Sequence, residues 1–118
     1  MPAADHLYVD GPNVLLTASF ATQIGLALHE LMTNSIKYGA LSGNGRVDLR
    51  WHVETGEERS YLVLNWLEEH GGRHVPGSRH GFGHTVLTRV VAHSLNGVTS
   101  FEILPGRVNW SLRAELAV

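Results

Sequence analysis

His29-Glu-Leu-Met-Thr-Asn-Ser-Ile-Lys-Tyr-Gly-Ala-Leu-Ser42 is the stretch on which the reading of this chain turns. It closes the longest helical signal in the sequence. Phe20, Ile24, Leu28 and Leu31 recur at intervals of four, four and three, which places them on one helical face. The pattern predicts a helix from about Thr17 to Tyr38, with Thr17 or Ser19 as its cap and Gly39 as a left-handed stop. On that helix Glu30 and Asn34 stand four residues apart and are neighbours; Lys37 lies one turn further along. A carboxylate, an amide oxygen and an ammonium on one stripe suit a metal–phosphate ligand. The amide oxygen fits Mg2+, a hard ion that keeps several waters and takes few protein ligands. The ammonium fits a phosphate, and the carboxylate can accept a proton. An ordinary solvated helix face has the same spacing, so spacing alone does not decide between the two.

Outward from this helix the chain alternates short extended segments with turns. Upstream, His6–Asp10 and Val14–Leu16 read as extended, separated by Gly11-Pro12-Asn13. Downstream, Ser42–Gly45 is a turn, and Arg46–Val53 alternates polar and apolar as a half-buried strand does. Glu54–Ser60 reads as a hairpin loop, and Tyr61–Trp66 as a more continuously apolar, central strand with an acid just past its end. Glu68–His80 has no period and carries three glycines and a proline, the composition of a functional loop. A second helix is expected from near Gly83 to Ser94, then strands Val98–Leu104 and Val108–Leu116 joined by Pro105-Gly106. Trp51, Trp66 and Trp110 fall in strand patterns and read as core or half-buried sheet residues. The order implies a mixed, mostly antiparallel sheet with helices packed on one face, an α/β (α+β) two-layer sandwich.

Composition narrows the function classes. At 118 residues the chain is the size of one domain, 1–118, and has no repeats or linkers. It has no cysteine, hence no disulfide, thiolate metal site or cysteine nucleophile. Nine Lys+Arg against eleven Asp+Glu, net −2, argue against non-specific nucleic-acid binding. No apolar run approaches a membrane span, so no membrane contact and a cytoplasmic setting are expected. Of the eight histidines, His70, His74, His80 and His84 fall within fifteen residues, which raises a zinc site. Their spacings do not clearly make a helical ligand pair, because the first two lie in a glycine-rich loop, and they read instead as loop and surface residues.

Two further elements accompany the helix stripe. Gly81-Phe-Gly-His-Thr-Val-Leu87 opens the second helix, where glycines let backbone N–H groups approach an anion. Trp66-Leu-Glu-Glu-His-Gly-Gly72 ends the central strand. In this order the three resemble the ATP-binding domain of sensor histidine kinases, in the subgroup known as HWE kinases. His29 and Trp66-Leu-Glu68 match the residues that give the subgroup its name, and the resemblance runs from about His6 to Leu116.

The resemblance implies the Bergerat-type sandwich shared with gyrase and heat-shock chaperone ATPases, with ATP and Mg2+ as cofactors. It implies that Asn34 holds Mg2+ against the phosphates and that Glu30 is the catalytic acid/base residue or orients it. Lys37 would reach phosphate, and Tyr38 and His29 would lie near the nucleotide. Glu68 would accept the adenine amino group. Gly71, Gly81, Phe82, Gly83, His84, Thr85 and Leu87 would line the site beneath a lid over Arg73–His80.

The expected reaction is transfer of the γ-phosphate of Mg·ATP to a histidine on a separate dimerising helical domain, from which a response regulator is served. No paired helices precede residue 17, so the acceptor is missing, and the chain reads as an excised domain. Such a domain alone is expected to be monomeric, within a dimeric full-length kinase, and to bind ATP without autophosphorylating. A stand-alone anti-sigma-type serine kinase and a catalytically lapsed nucleotide-binding or docking module of the same fold are the alternatives. Three positions depart from the family pattern. His70 stands where a glycine is usual and is expected to cover the adenine, Gly72 stands where a proline is usual, and His84 stands where a small residue is usual.

Overall fold

The computed structural model describes residues 6–43, 45–70 and 82–116. Five strands form one sheet in the order β1-β2-β3-β5-β4. β1 is Leu7–Asp10, β2 Arg46–Thr55, β3 Ser60–Glu69, β4 Val98–Leu104 and β5 Arg107–Glu115. Only β1 on β2 is parallel; the other three pairings are antiparallel. This is the mixed sheet expected. Two segments differ in extent. β3 runs three residues further than its apolar stretch, so Glu68 lies within the strand rather than past it. Val14–Leu16, expected to be extended strand, joins no sheet.

Helix α1, Ala18–Tyr38, crosses one face of the sheet and begins as expected, with Thr17 Oγ1 accepting the Phe20 N–H at 3.2 Å. Its buried residues are Phe20, Ile24, Ala27, Leu31 and Ser35. Period-two alternation aims Val47 and Leu49 of β2, Leu62, Leu64, Trp66 and Glu68 of β3, and Val108, Trp110, Leu112 and Ala114 of β5 at the same layer. At the centre Trp66 and Trp110 are cross-strand partners, each 1% exposed.

The second helical rod is continuous but not uniform: α2 (Phe82–Thr85), a π-helical stretch (Val86–Val90) and α3 (Val91–Leu95). The Val91 N–H reaches the Val86 carbonyl, one residue beyond the α-helical partner. The carbonyl it passes over, that of Leu87, receives the Trp110 indole N–H at 2.9 Å. The rod ends in a Schellman motif. Asn96 takes the left-handed conformation (φ 51°), the Asn96 N–H reaches His93 and the Gly97 N–H reaches Ala92 at 2.8 Å. At the β4–β5 turn Gly106 has φ 74°, the value the second central position of a Pro-Gly turn requires.

Candidate functional site

The exit from α1 is built by three successive backbone N–H groups. That of Gly39 reaches the Ser35 carbonyl at 3.0 Å. That of Ala40 reaches Glu68 Oε2 at 2.8 Å, and that of Leu41 reaches Ser35 Oγ at 3.1 Å. Gly39 itself is extended (φ −128°, ψ −148°), not the left-handed stop expected. Buried side chains take the N–H groups of Ala40 and Leu41, the residues that follow the helix, which a left-handed cap would instead turn back onto its last carbonyls. The chain then makes a 3₁₀ turn, Ala40–Ser42, packed on β2.

Glu68 is the centre of this construction. Two residues apart on one strand, Trp66 and Glu68 face the same side, and the Trp66 indole N–H meets Glu68 Oε1 at 3.2 Å. Each carboxylate oxygen therefore holds one protein donor, and the residue is 1% exposed. Glu68, which the resemblance sets at the adenine amino group, is buried here and ties β3 to the end of α1. Gly45 shares this corner: at φ 147°, a Cβ there would come 2.5 Å from the Glu69 carbonyl and 2.7 Å from the Ala40 Cβ.

The helix stripe stands directly before this corner. Glu30 and Asn34 are half-buried and Lys37 is exposed. Among the described residues none hydrogen-bonds or ion-pairs with these three side chains. Tyr38 is half-buried and His29 is exposed on the same helix. An amide oxygen, a carboxylate and an ammonium thus stand unengaged along the last two turns of a helix whose end is fixed. The donor set fits a magnesium ion shared with phosphate, since hard oxygen donors in small number are what that ion takes from a protein.

The remaining expected residues are distributed more widely. His84 is half-buried, its ring centroid 5.4 Å from that of Phe101 on β4. Its carbonyl accepts the Thr88 hydroxyl at 2.8 Å. Thr85 is exposed. Leu87, expected to line the nucleotide, has no exposed surface and packs in the core beside Trp110. Phe82 and Gly83 begin α2. Gly71, Gly81 and the expected lid over residues 73–80, with His74 and His80, lie outside the described residues. Among the described residues no three His, Asp or Glu side chains gather as a metal cluster.

His70 is half-buried, and its N–H reaches the Gly106 carbonyl at 2.9 Å, tying the end of β3 to the β4–β5 turn. Sequence reasoning missed the parts played by Ser35 and Ala40. Ser35 reads as a small residue on an apolar face, and the signal available was its place on the α1 core stripe, four residues after Leu31.

A two-layer sandwich with an Asn-bearing helix ending on a mixed sheet is the architecture of histidine-kinase catalytic domains. The histidine kinase domain of a blue-light-activated kinase from Erythrobacter litoralis matches with a TM-score of 0.75, at 20% identity, over 94% of this chain and 51% of that one. The catalytic domain of histidine kinase ThkA matches with a TM-score of 0.66, at 14% identity, over 92% and 76%. In sequence, the blue-light-activated histidine kinase of Brucella ovis is 30% identical over 100 residues, 84% of this chain. Blue-light-activated histidine kinase 1 of Erythrobacter litoralis is 44% identical over 69 residues, 58% of this chain. No protein-family profile matches. The chain spans about a fifth of the length of these curated relatives (20% and 18%). It is homologous to histidine kinases over most of its length and has the fold of their catalytic domains.

Proposed function

We propose that this domain binds Mg·ATP and transfers the γ-phosphate to a histidine on a separate dimerising helical domain, from which a response regulator receives it. The observation that carries the reading is the unengaged Glu30–Asn34–Lys37 stripe beside the anchored exit of α1. Asn34 presents an amide oxygen to the metal. Lys37, exposed one turn on, reaches toward phosphate. Glu30, four residues before Asn34 on the same stripe, would accept the nucleophile's proton or orient the group that does. Bound magnesium supplies charge neutralisation on the phosphoryl oxygens. His29 and the Trp66-Leu-Glu68 run support the HWE subgroup. Glu68 also holds the α1 exit, each of its oxygens meeting one protein donor and keeping a lone pair for a further one.

The serine-kinase alternative shares this stripe, but His29 and Trp66-Leu-Glu68 favour the histidine kinases. Retention of all three stripe residues counts against a lapsed module. Isothermal titration with ATP, with and without Mg2+, tests the reading. Asn34→Ala should lose the Mg2+-dependent part of the affinity, at least about tenfold, a little over 1 kcal/mol. Unchanged Mg·ATP binding by Asn34→Ala would remove the metal assignment.

A further inference from the structure

β4 is an edge of the sheet, and Glu102 is the one charge it carries against pairing with another strand. Val98-Thr-Ser-Phe-Glu-Ile-Leu104 has no lysine, no internal proline and no bulge in its register with β5. Its two ends expose large apolar side chains, Val98 at 72% and Leu104 at 41%. Both belong to the even-numbered set that faces away from the helices, since exposure alternates along the strand.

The backbone fixes which groups are unpaired. A two-residue turn, Pro105-Gly106, joins Leu104 to Arg107, and such turns close on a hydrogen-bonded pair. Counting back in twos, residues 98, 100, 102 and 104 bond to β5. Thr99, Phe101 and Ile103 therefore point their N–H and C=O groups outward. Among the described residues no backbone partner meets them.

We infer that two copies of this domain pair β4 to β4, antiparallel and centred on Phe101, making one continuous ten-stranded sheet. The strand is complementary to itself in that register. Phe101 meets the partner's Phe101 as a hydrogen-bonded pair, flanked by Thr99 with the partner's Ile103 and by the reciprocal pair. On the outer face Val98 falls opposite the partner's Leu104, and Leu104 opposite the partner's Val98, so both exposed apolar groups are covered. Glu102 falls opposite the partner's Ser100, so no like charges are directly opposed. A shift of two residues in either direction leaves one apolar group uncovered and removes hydrogen bonds. This pairing departs from the monomer expected of the isolated domain, and it does not rest on the phosphotransfer reading.

Sedimentation across a range of concentrations tests it on the 118-residue chain. The parent should show a monomer–dimer equilibrium, with amides of Thr99, Phe101 and Ile103 gaining protection from hydrogen exchange as concentration rises. V98E/L104E sets glutamates opposite one another twice and should weaken the dimer at least about tenfold. V98K/L104E sets opposite charges in the same places and should return the affinity to that of the parent. Circular dichroism checks that both variants fold. A parent that stays monomeric to millimolar concentration, or that grows past dimer, overturns the inference. So does a V98K/L104E variant as weak as V98E/L104E, because only this register pairs those two positions.

Discussion

At the scale of single residues, Glu68 gathers more consequence than any other side chain. A buried carboxylate is costly unless its oxygens are met, and here two N–H groups meet them from different directions. Glu68→Gln keeps the shape but offers one acceptor oxygen where two donors converge, so one donor is left facing an amide N–H. Hydrogen bonds to charged groups contribute about 1.5–3 kcal/mol, and urea unfolding should show a loss in that range. A stability equal to the parent's would mean that the two donors find other acceptors. The motif residues were legible in sequence because the chemistry they carry is local to a helix or a strand. Glu68's partners were not, because Ala40 lies 28 residues away, and only the folded arrangement brings the two together. Leu87 shows the same limit. Its place after a glycine pair suggests a ligand contact, but the π-helical turn directs its carbonyl to Trp110 and its side chain into the core.

At the scale of elements, the strands, α1 and its cap follow from alternation and period, and the structure reproduces them within a few residues. What the pattern did not contain was the irregular geometry: the extended Gly39 and the π-helical turn, both tied to tertiary partners, and the Asn96 stop, closed by local bonds to His93 and Ala92. The segment between β1 and α1 is held in the same way. The Trp51 indole N–H reaches the Pro12 carbonyl at 2.7 Å, and a Cβ added to Gly11 would clash with the indole ring. Gly11→Ala must displace either the ring or the segment, and overpacking of this kind typically costs about 1–3 kcal/mol. A denaturant midpoint equal to the parent's would show that the segment moves aside freely. On the open face of β2, Arg46 grips Asp48 with two nitrogens at 2.8 and 3.0 Å and lies over the Tyr8 ring of β1. The hydrogen-bonded Arg46 guanidinium, opposed by partial burial, holds the Asp48 carboxyl below its ordinary range. A carboxyl lowered on folding stabilises above its unfolded value, and that contribution fades as pH falls through the lowered one. Asp48→Asn should therefore melt below the parent at neutral pH, with the gap closing in acid. A pH-independent gap would assign the effect to packing.

At the scale of the whole molecule, the described residues supply an unengaged polar stripe and a continuous sheet, but the proposed phosphoryl transfer also needs an acceptor held in line. Label from γ-labelled ATP should appear on a supplied dimerising helical domain and not on this chain's own histidines. Stable acid-labile label on the isolated chain would show that it carries its own acceptor. The hydrogen bond from Ala40 to Glu68 bears on the order in which such a molecule assembles. Until β3 has found its place in the sheet, the exit of α1 has no acceptor for its amide, and the stripe before it sits on a fraying end. The site is thus a late product of folding rather than a property of its helix. The Ala40 amide should exchange its hydrogen only when the sheet itself comes apart, so that the slowest-exchanging amides and the proposed nucleotide site fail together on denaturation.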